Sequence, residues 1–349
     1  MTRTASGEER IETRFTKLVG VDHPVMQEGL GPHKTVKLAA AVSNAGGLGT
    51  VSIPSIAEEP GKGAAILHGY IEEACALTDK PFAVNIPVGV DKTSGEVLPF
   101  SAAYVTAVVE AVRDAEIAKR LRVITTSAGP PTAARKLIGD SGLIHVHKVG
   151  GTRQAIRAEK EGVDMLIASG YEAGGHTHSR PVHTFILGPS VTEAVSIPVI
   201  LAGGLRDGRT LAAALALGAD AGAMGTRFVA SHDNPDWHPA YGQRIIDARE
   251  GDDTLFQAIY GPSRVLHSRG LDELVEVIQR GDKDVIELTR LKDIALVAGQ
   301  RDGDMDAGLL PAGQVSGAIN DLIHVAEFIP GIVREAIAVM DRLRAKAKT

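Results

Sequence analysis

The sequence of 349 residues predicts a single (β/α)8 TIM barrel. Short runs rich in Val, Ile and Leu alternate eight times with longer helical patterns, as in parallel sheets whose strands are buried on both faces. Several helical patterns end at a glycine, such as Gly46, Gly162 and Gly218, which is a common helix stop. An open doubly wound sheet is the alternative, and the lack of a G-x-G-x-x-G motif after an early strand weakens it.

The first two thirds of the chain contain all eight predicted strands and the helices between them. The strands are Val25–Gln27, Leu48–Ser52, Phe82–Ile86, Val123–Thr126, Leu143–His147, Met165–Ala168, Val199–Leu201 and Ala221–Met224. The helices include Thr35–Ala45, Ile56–Leu77, Ala103–Asp114, Thr152–Glu161 and Arg209–Leu217. We therefore assign residues 16–230 to the barrel.

After about residue 231 the alternation stops and helical patterns continue. They cover Gln243–Ala248, Leu271–Gln279, Asp284–Leu291 and Ile329–Lys346. We expect residues 231–349 to form a helical extension of the same domain that lies over the barrel mouth as a lid.

Composition excludes several functional classes. The net charge is −6 with no Lys/Arg block, and aromatic residues are only 4%, so nothing indicates a nucleic-acid partner. The single cysteine, Cys75, excludes an intrachain disulfide and is expected to be an inert buried thiol. No run of 18 apolar residues and no signal-peptide core are present, so we expect a soluble cytoplasmic protein.

Polar residues follow the predicted strands at the ends where barrel enzymes carry their chemistry. This ring contains Gln27, Glu28 and Gly29 after the first strand, Asn85 after the third, Thr125, Thr126 and Ser127 after the fourth, His147 and Lys148 after the fifth, Ser169, Glu172, Gly174, Gly175 and His176 after the sixth, Gly203 and Gly204 after the seventh, and Gly225, Thr226 and Arg227 after the eighth.

The loops after strands seven and eight predict a phosphate site. Gly203 and Gly204 follow one strand, and the run Ala223–Thr226 ends the next. Glycines allow the backbone to approach an anion and direct N–H groups at it, and these two loops are the usual phosphate site of such barrels. Tight barrel turns are the alternative interpretation.

The loop after strand six predicts a catalytic histidine. Gly174 and Gly175 allow a flat ligand to lie against the backbone, and His176 then stands beside that ligand, where it can accept or donate a proton. A histidine on a surface loop is the alternative. Metal binding by His176 and His178 is disfavoured, because the glycines make a regular strand improbable and no carboxylate cluster accompanies the pair.

A second H-x-H pair, His145 and His147, lies on strand five. Its two side chains face the same way there, and packing within the barrel or helix layer is the favoured role.

Several sequence blocks resemble the nitronate monooxygenase family, formerly called 2-nitropropane dioxygenases. The resemblance extends from Thr16 to Val333. The matching blocks are residues 38–49, residues 82–87, Glu172-Ala-Gly-Gly-His176, Ala202-Gly-Gly-Leu205, Met224-Gly-Thr-Arg-Phe228 and Gly313-Gln-Val-Ser-Gly317.

The resemblance implies an FMN cofactor and a catalytic base. It implies that FMN is held by Asn85, Ser169, Gly174, Gly204 and Ala223, Met224, Gly225 and Thr226, with His176 as the base or as the group that orients substrate. The ring at the strand ends adds Gln27, Gly29, Lys148, Gly175 and Gly203 to the candidate cofactor residues.

One position departs from the family pattern. The family usually has H-x-G in the loop after strand six, whereas this chain reads His176-Thr-His178, followed by Arg180. We take His178 and Arg180 as candidate substrate residues. Inosine-monophosphate dehydrogenases and 2-hydroxy-acid oxidases share part of the phosphate pattern, but this chain lacks a cysteine after strand six and a histidine after strand seven.

The resemblance implies oxidation of alkyl nitronates with O2. The alternative is an NAD(P)H-dependent FMN reductase acting on enoyl-acyl-carrier-protein or acyl-CoA, since those enzymes resemble the same blocks and His178 and Arg180 suit a phosphate-bearing acyl carrier. A non-catalytic flavin-binding protein is the third reading. The expected partners are a small-molecule substrate and a second copy in a homodimer, with no nucleic acid and no membrane.

Overall fold

Eight parallel strands form a closed barrel in the computed structural model, which describes residues 2–3, 9–54, 58–91, 93–180 and 182–347. They are β1 Val25–Gln27, β2 Gly49–Ser52, β3 Phe82–Val88, β4 Leu121–Ala128, β5 Ile144–Val149, β6 Met165–Ser169, β7 Val199–Ala202 and β8 Ala221–Met224. Neighbours in sequence pair in order, and β8 pairs with β1. A parallel bridge between Met26 and Leu48 joins β1 to β2, so the sheet has no free edge. The predicted fold is confirmed.

The barrel interior is apolar below the mouth. Side chains alternate between the interior and the helix layer along each strand, and the interior positions include Met26, Leu48, Val123, Ile167 and Ile200. The barrel is therefore a packed core, and only its C-terminal end is open to a ligand.

A short helix closes the other end of the barrel. Arg14–Val19 begins with a capping box formed by Thr13 and Thr16, and it buries Phe15 completely in the interior cluster. Arg14 forms an ion pair with Asp220, at the start of β8, with 2.7 Å between Nη2 and Oδ2. This contact fixes the helix at the N-terminal face, away from the mouth.

The outer layer consists of helices between the strands. They are Val36–Asn44, Pro60–Leu77, Pro99–Ala111 with the short Ala115–Ala118, Pro131–Ile138, Thr152–Lys160, Thr184–Thr192 and Gly208–Ala216. Cys75 lies on the second of these, half-buried, and burial raises the pKa of its thiol. None of the helices in the described ranges is both long and apolar enough to cross a membrane.

The last helix, Val325–Lys346, completes this outer ring. It packs on Gly208–Ala216 and Val36–Asn44, and it buries Ile329 and Val333 in the cluster that lies between strands and helices. The expectation that the C-terminal helices lie over the mouth therefore does not hold for this one, because its apolar face is needed to cover β8 and β1. Residues 231–324 are an insertion between β8 and its helix.

The insertion contains both helices and an unpredicted sheet. The short helix Thr226–Val229 precedes it, and its own helices are Pro239–Ile246, Arg269–Arg280, Val285–Gln300 and the 3-10 helix Gln314–Ala318. An antiparallel hairpin, Asp253–Ala258 with Gly261–Leu266, pairs with Leu310–Pro311 and with Gly175–His176 of the loop after β6. The hairpin places part of the insertion directly against the predicted catalytic loop.

Near the start of the chain, Thr2–Arg3 pairs with Glu9–Arg10 in a two-stranded antiparallel ladder.

Candidate active site

Polar side chains replace the apolar interior residues at the C-terminal ends of the strands. Following the inward alternation upward gives Glu28, Asn85, Thr125, Lys148 and Ser169, each from a different strand or strand end. Glu28 and Lys148 form an ion pair with 2.8 Å between Oε1 and Nζ. Thr125 donates from Oγ1 to Asn85 Oδ1 over 2.9 Å, which directs the Asn85 amide N–H groups toward other partners. These groups form the polar floor of the mouth.

The Gln27 side chain, a predicted cofactor contact, bonds to the backbone of the neighbouring strand. Its Nε2 donates to the Thr50 carbonyl at 2.9 Å, and its Oε1 accepts from the Thr50 N–H at 3.1 Å. The side chain therefore acts as a substitute peptide group that completes the seam between β1 and β2. Gln27 does not present its amide to the mouth, because both ends of that amide are already bonded to the backbone. The adjacent Gly29 lies against Asn85, since a Cβ there would be 2.3 Å from Asn85 Cγ.

The glycines after β7 have the conformation expected of an anion-binding turn. Gly203 has φ +105° and Gly204 φ +76°, both in the left-handed region. A Cβ at Gly204 would lie more than 4 Å from every described neighbour, so this residue borders open space. In β8, Ala223 and Met224 are buried, and a ligand could reach only their backbone or the following Gly225 and Thr226.

The C-terminal part of the insertion closes over these loops. The Gly313 N–H donates to Thr226 Oγ1 at 2.9 Å, and the Gln314 N–H donates to the Glu172 carbonyl at 3.0 Å. A Cβ at Gly174 would be 2.5 Å from the Ala312 carbonyl carbon, so only glycine permits this approach. The block Gly313–Gly317 thus binds the loops after β6 and β8 together.

His176 lies at the mouth on the two-residue strand Gly175–His176, opposite Ser263. No regular strand carries both His176 and His178, as expected from the glycines, but the hairpin supplies a partner for the two-residue strand Gly175–His176. Part of the His176 residue is accessible to solvent, but neighbouring protein atoms lie close enough to the imidazole to reduce its hydration. Desolvation, followed by the charges of Lys292 and Lys148, lowers the pKa of His176 to about 4. The ring is therefore neutral at pH 7 and can accept a proton.

His178 and Arg180 differ in their surroundings. His178 packs on the backbone after β5, where a Cβ at Gly150 would be 1.6 Å from His178 Cδ2. Desolvation and the charge of Lys148 lower the pKa of His178 to about 4. His178 therefore belongs to the wall beside the polar floor, whereas Arg180 is exposed.

The insertion contributes a roof over the mouth, where the sequence analysis predicted a lid but did not identify the residues that face the site. Helix Val285–Gln300 carries Lys292 and Asp293, and the hairpin turn carries Tyr260. The Tyr260 hydroxyl bonds to Thr289 Oγ1 at 2.8 Å, and its ring lies 6.4 Å from the His176 ring and 5.8 Å from Lys292 Nζ. No local motif marks these residues, because only the path of the insertion brings them to the mouth.

A buried ion pair holds the hairpin against the loop after β6. Arg264 pairs with Asp253, with 5% and 7% of their side chains exposed. Arg264 also donates from Nε and Nη2 to the Tyr171 carbonyl at 3.3 and 3.1 Å. This contact fixes the loop five residues before His176, so Arg264 positions the histidine through the backbone.

His145 and His147 form a packing cluster outside the barrel interior. Thr126 Oγ1 lies 2.8 Å from His145 Nε2 and 2.9 Å from His147 Nδ1. Burial lowers the pKa of His145 to about 3 and that of His147 to about 4. Both rings therefore remain neutral and structural. Across the described ranges, no group of three His, Cys, Asp or Glu side chains is arranged to hold a metal ion.

Known proteins resemble this chain over most of its length. Residues 12–335 match the protein family described as nitronate monooxygenase. A Rhodococcus jostii protein named (3aS,4S,5R,7aS)-5-hydroxy-7a-methyl-1-oxo-octahydro-1H-indene-4-carboxyl-CoA dehydrogenase is 32% identical, over 96% of this chain and 98% of its own length. A Staphylococcus aureus protein named as a probable nitronate monooxygenase is 30% identical, over 75% of this chain and 80% of its own length. The structure of FabK from Thermotoga maritima has a TM-score of 0.81 at 34% identity, covering 96% of this chain and 99% of its own.

Proposed function

We propose that this chain, which belongs to the nitronate monooxygenase family of flavin-dependent oxidoreductases, is an FMN enzyme that transfers hydride from NAD(P)H to the carbon–carbon double bond of an unsaturated acyl thioester, with a proton completing the reduction. One observation carries this choice of substrate over a nitronate. The Rhodococcus jostii relative, whose name gives a carboxyl-CoA thioester as its substrate, matches 96% of this chain, whereas the relative named as a probable nitronate monooxygenase matches 75%. The sequence resemblance to flavin-dependent acyl-carrier-protein and acyl-CoA reductases supports the same choice.

The mouth fits FMN in its backbone conformation and its polar floor. The left-handed turn at Gly203 and Gly204 borders open space and would take the single phosphate, together with the backbone of Gly225 and Thr226. Gly29, Asn85, Lys148, Ser169, Gly174 and Gly175 would contact the rest of the cofactor. Bound FMN would supply hydride transfer.

We expect flavin released by heat from the purified protein to migrate as FMN on chromatography. One phosphate-binding turn accounts for one phosphate, so recovery of FAD, or a protein without affinity for flavin, would contradict the assignment.

His176 would act on the substrate carbonyl or on the carbon beside it. A neutral imidazole can donate one N–H hydrogen bond to the thioester oxygen and can accept a proton at the other nitrogen. The roof formed by residues 231–324 would exclude water from this exchange as a lid.

Oxidation of a nitronate by O2 is the second candidate. The ammonium groups of Lys148 and Lys292 near His176 suit a substrate that is already an anion. The family match and the Staphylococcus aureus relative favour it as well.

One anaerobic experiment separates these functions. The oxidised holoprotein is mixed with NADH, NADPH or propane-2-nitronate, and the flavin absorbance is followed. Bleaching by a nicotinamide, reversed by crotonyl-CoA, is the expected result. Bleaching by the nitronate alone would establish the second candidate in its place, and no bleaching by any donor would indicate a non-catalytic flavin-binding protein.

A further inference from the structure

Two partly buried lysines lie near His176, one on the barrel floor and one on the roof. Lys148 belongs to the floor and Lys292 to the roof, and each has a carboxylate partner. We propose that Lys292 is a substrate-binding residue and that its ammonium group, held against Tyr260 beside His176, binds a planar oxyanion of the substrate. This proposal rests on the proposed function only in placing the substrate at His176.

The position of Lys292 is fixed by its neighbours. Only 13% of its side chain is exposed, and Nζ lies 3.1 Å from Asp293 Oδ1. The ammonium also lies 5.8 Å from the centre of the Tyr260 ring, which is 6.4 Å from the His176 ring. Tyr260 is anchored to the same helix through Thr289, at 2.8 Å. Lys292 is therefore held against Tyr260, whose ring lies beside His176, and does not extend into bulk solvent.

The floor supplies a matching cation. Lys148 Nζ lies 2.8 Å from Glu28 Oε1, with 23% and 12% of the two side chains exposed. An ammonium group has three N–H donors, and one carboxylate partner leaves donors available for a ligand.

The electrostatic field at His176 has the sign that this arrangement requires. Besides desolvation, the charges that lower its pKa to about 4 are those of Lys292 and Lys148. Desolvation is the larger cause and disfavours any charge, whereas the two ammonium groups disfavour only the protonated imidazole and would attract a negative charge beside it. Electrostatic interactions are strong in such a partly desolvated mouth.

This charge pattern defines the chemistry of the ligand. A thioester enolate, a nitronate and a carboxylate share a delocalised negative charge on a planar group, and each could accept a hydrogen bond from the Lys292 ammonium. A neutral alkyl chain would gain no binding free energy from the Lys292 ammonium. The inference therefore names Lys292 as a determinant of anion recognition, whichever of these groups reacts.

The test measures binding of nitrate, a planar oxyanion, to the oxidised holoprotein by the change in flavin absorbance. We expect Lys292→Met to weaken binding at least about tenfold and Lys292→Arg to retain most of it. The matched control is Arg290→Met, an exposed cation on the same helix, which should bind nitrate as the unchanged protein does. Equal binding by Lys292→Met and Arg290→Met would overturn the proposal.

A second measurement is independent of flavin chemistry and of turnover. The pKa of His176 is measured by NMR titration in both variants, and removal of a nearby cation should raise it in Lys292→Met but not in Arg290→Met. An unchanged pKa in Lys292→Met would contradict the placement of Lys292. Because neither measurement uses a thioester or a nicotinamide, failure of the proposed function would leave both results valid.

Discussion

His176 is poised to remain uncharged over the physiological pH range. Its pKa is lowered to about 4 by desolvation and by Lys292 and Lys148, so the neutral form exists above that pH and is lost as the pH falls through it. We expect kcat/KM to stay constant from about pH 6 to 8 and to decrease only near about pH 4. The pH profile of the holoenzyme tests this, and an acid limb near the pKa of a free histidine, about 6.5, would contradict it.

Gly204 provides a residue-scale test of the phosphate assignment. Any side chain at its φ of +76° is strained, so loss of flavin alone would not distinguish a blocked site from a damaged turn. Gly162 is the matched control, because its φ is +82° and its Cβ direction is also open, but it follows helix Thr152–Lys160 away from the mouth.

We expect Gly204→Val and Gly162→Val to lower the free energy of unfolding by similar amounts, on the order of 1–2 kcal/mol. Only Gly204→Val should lose FMN, measured by the flavin-to-protein absorbance ratio. Full occupancy in Gly204→Val, or equal loss in both, would show that the phosphate lies elsewhere.

At the scale of elements, the hairpin Asp253–Leu266 depends on the buried pair of Arg264 and Asp253. Removing one partner leaves an uncompensated buried charge. Asp253→Ala should therefore lower the free energy of unfolding by about 3–5 kcal/mol in chemical denaturation. Glu273→Ala, which breaks an exposed pair with Arg269, should change it by less than about 1 kcal/mol. A small effect at Asp253 would mean that the hairpin is held by other contacts.

The barrel elements were predictable from the sequence, and the hairpin was not. Strands such as β6 and β7 are buried at every position, so an unbroken apolar run identified them. Asp253–Ala258 is instead half polar and buries only Phe256 and Ala258. Its strand conformation comes from pairing with Gly261–Leu266 and the loop after β6, which no local pattern records.

The same distinction applies to the site. Residues at strand ends, such as Asn85, Lys148 and His176, were accessible to prediction because barrel topology gathers the C-terminal ends of the strands. Lys292 and Tyr260 were not, since they reach the mouth through tertiary contacts of the insertion. For Gln27 the sequence predicted the position at the strand end, but it did not predict that the side chain bonds to the backbone of Thr50.

At the scale of the whole molecule, the last helix is part of the barrel. Gly208 allows Val325–Lys346 to approach closely, since a Cβ at Gly208 would be 2.4 Å from the Ile332 carbonyl oxygen. We expect Gly208→Ala to destabilise the protein by about 1–3 kcal/mol, because helix backbone cannot yield as a flexible side chain can. Gly61→Ala, in an open helical position, should be neutral or slightly stabilising. Thermal denaturation compares the two, and equal melting temperatures would contradict the close packing.

The path of the chain at Ser231 has a consequence for diversification. Ser231 and Ile323 form a parallel bridge, and the His232 N–H donates to the Ile323 carbonyl at 2.9 Å, so residues 231–324 depart from the barrel and return to it at one point. The two ends of this segment therefore lie side by side, so its length can change without a change in the barrel. Exchange of this segment would replace Lys292 and Tyr260 without altering the polar floor, provided that the new segment kept the contacts of Ala312 and Gly313 with the loops after β6 and β8. We therefore expect substrate preference to change with this segment more readily than flavin binding.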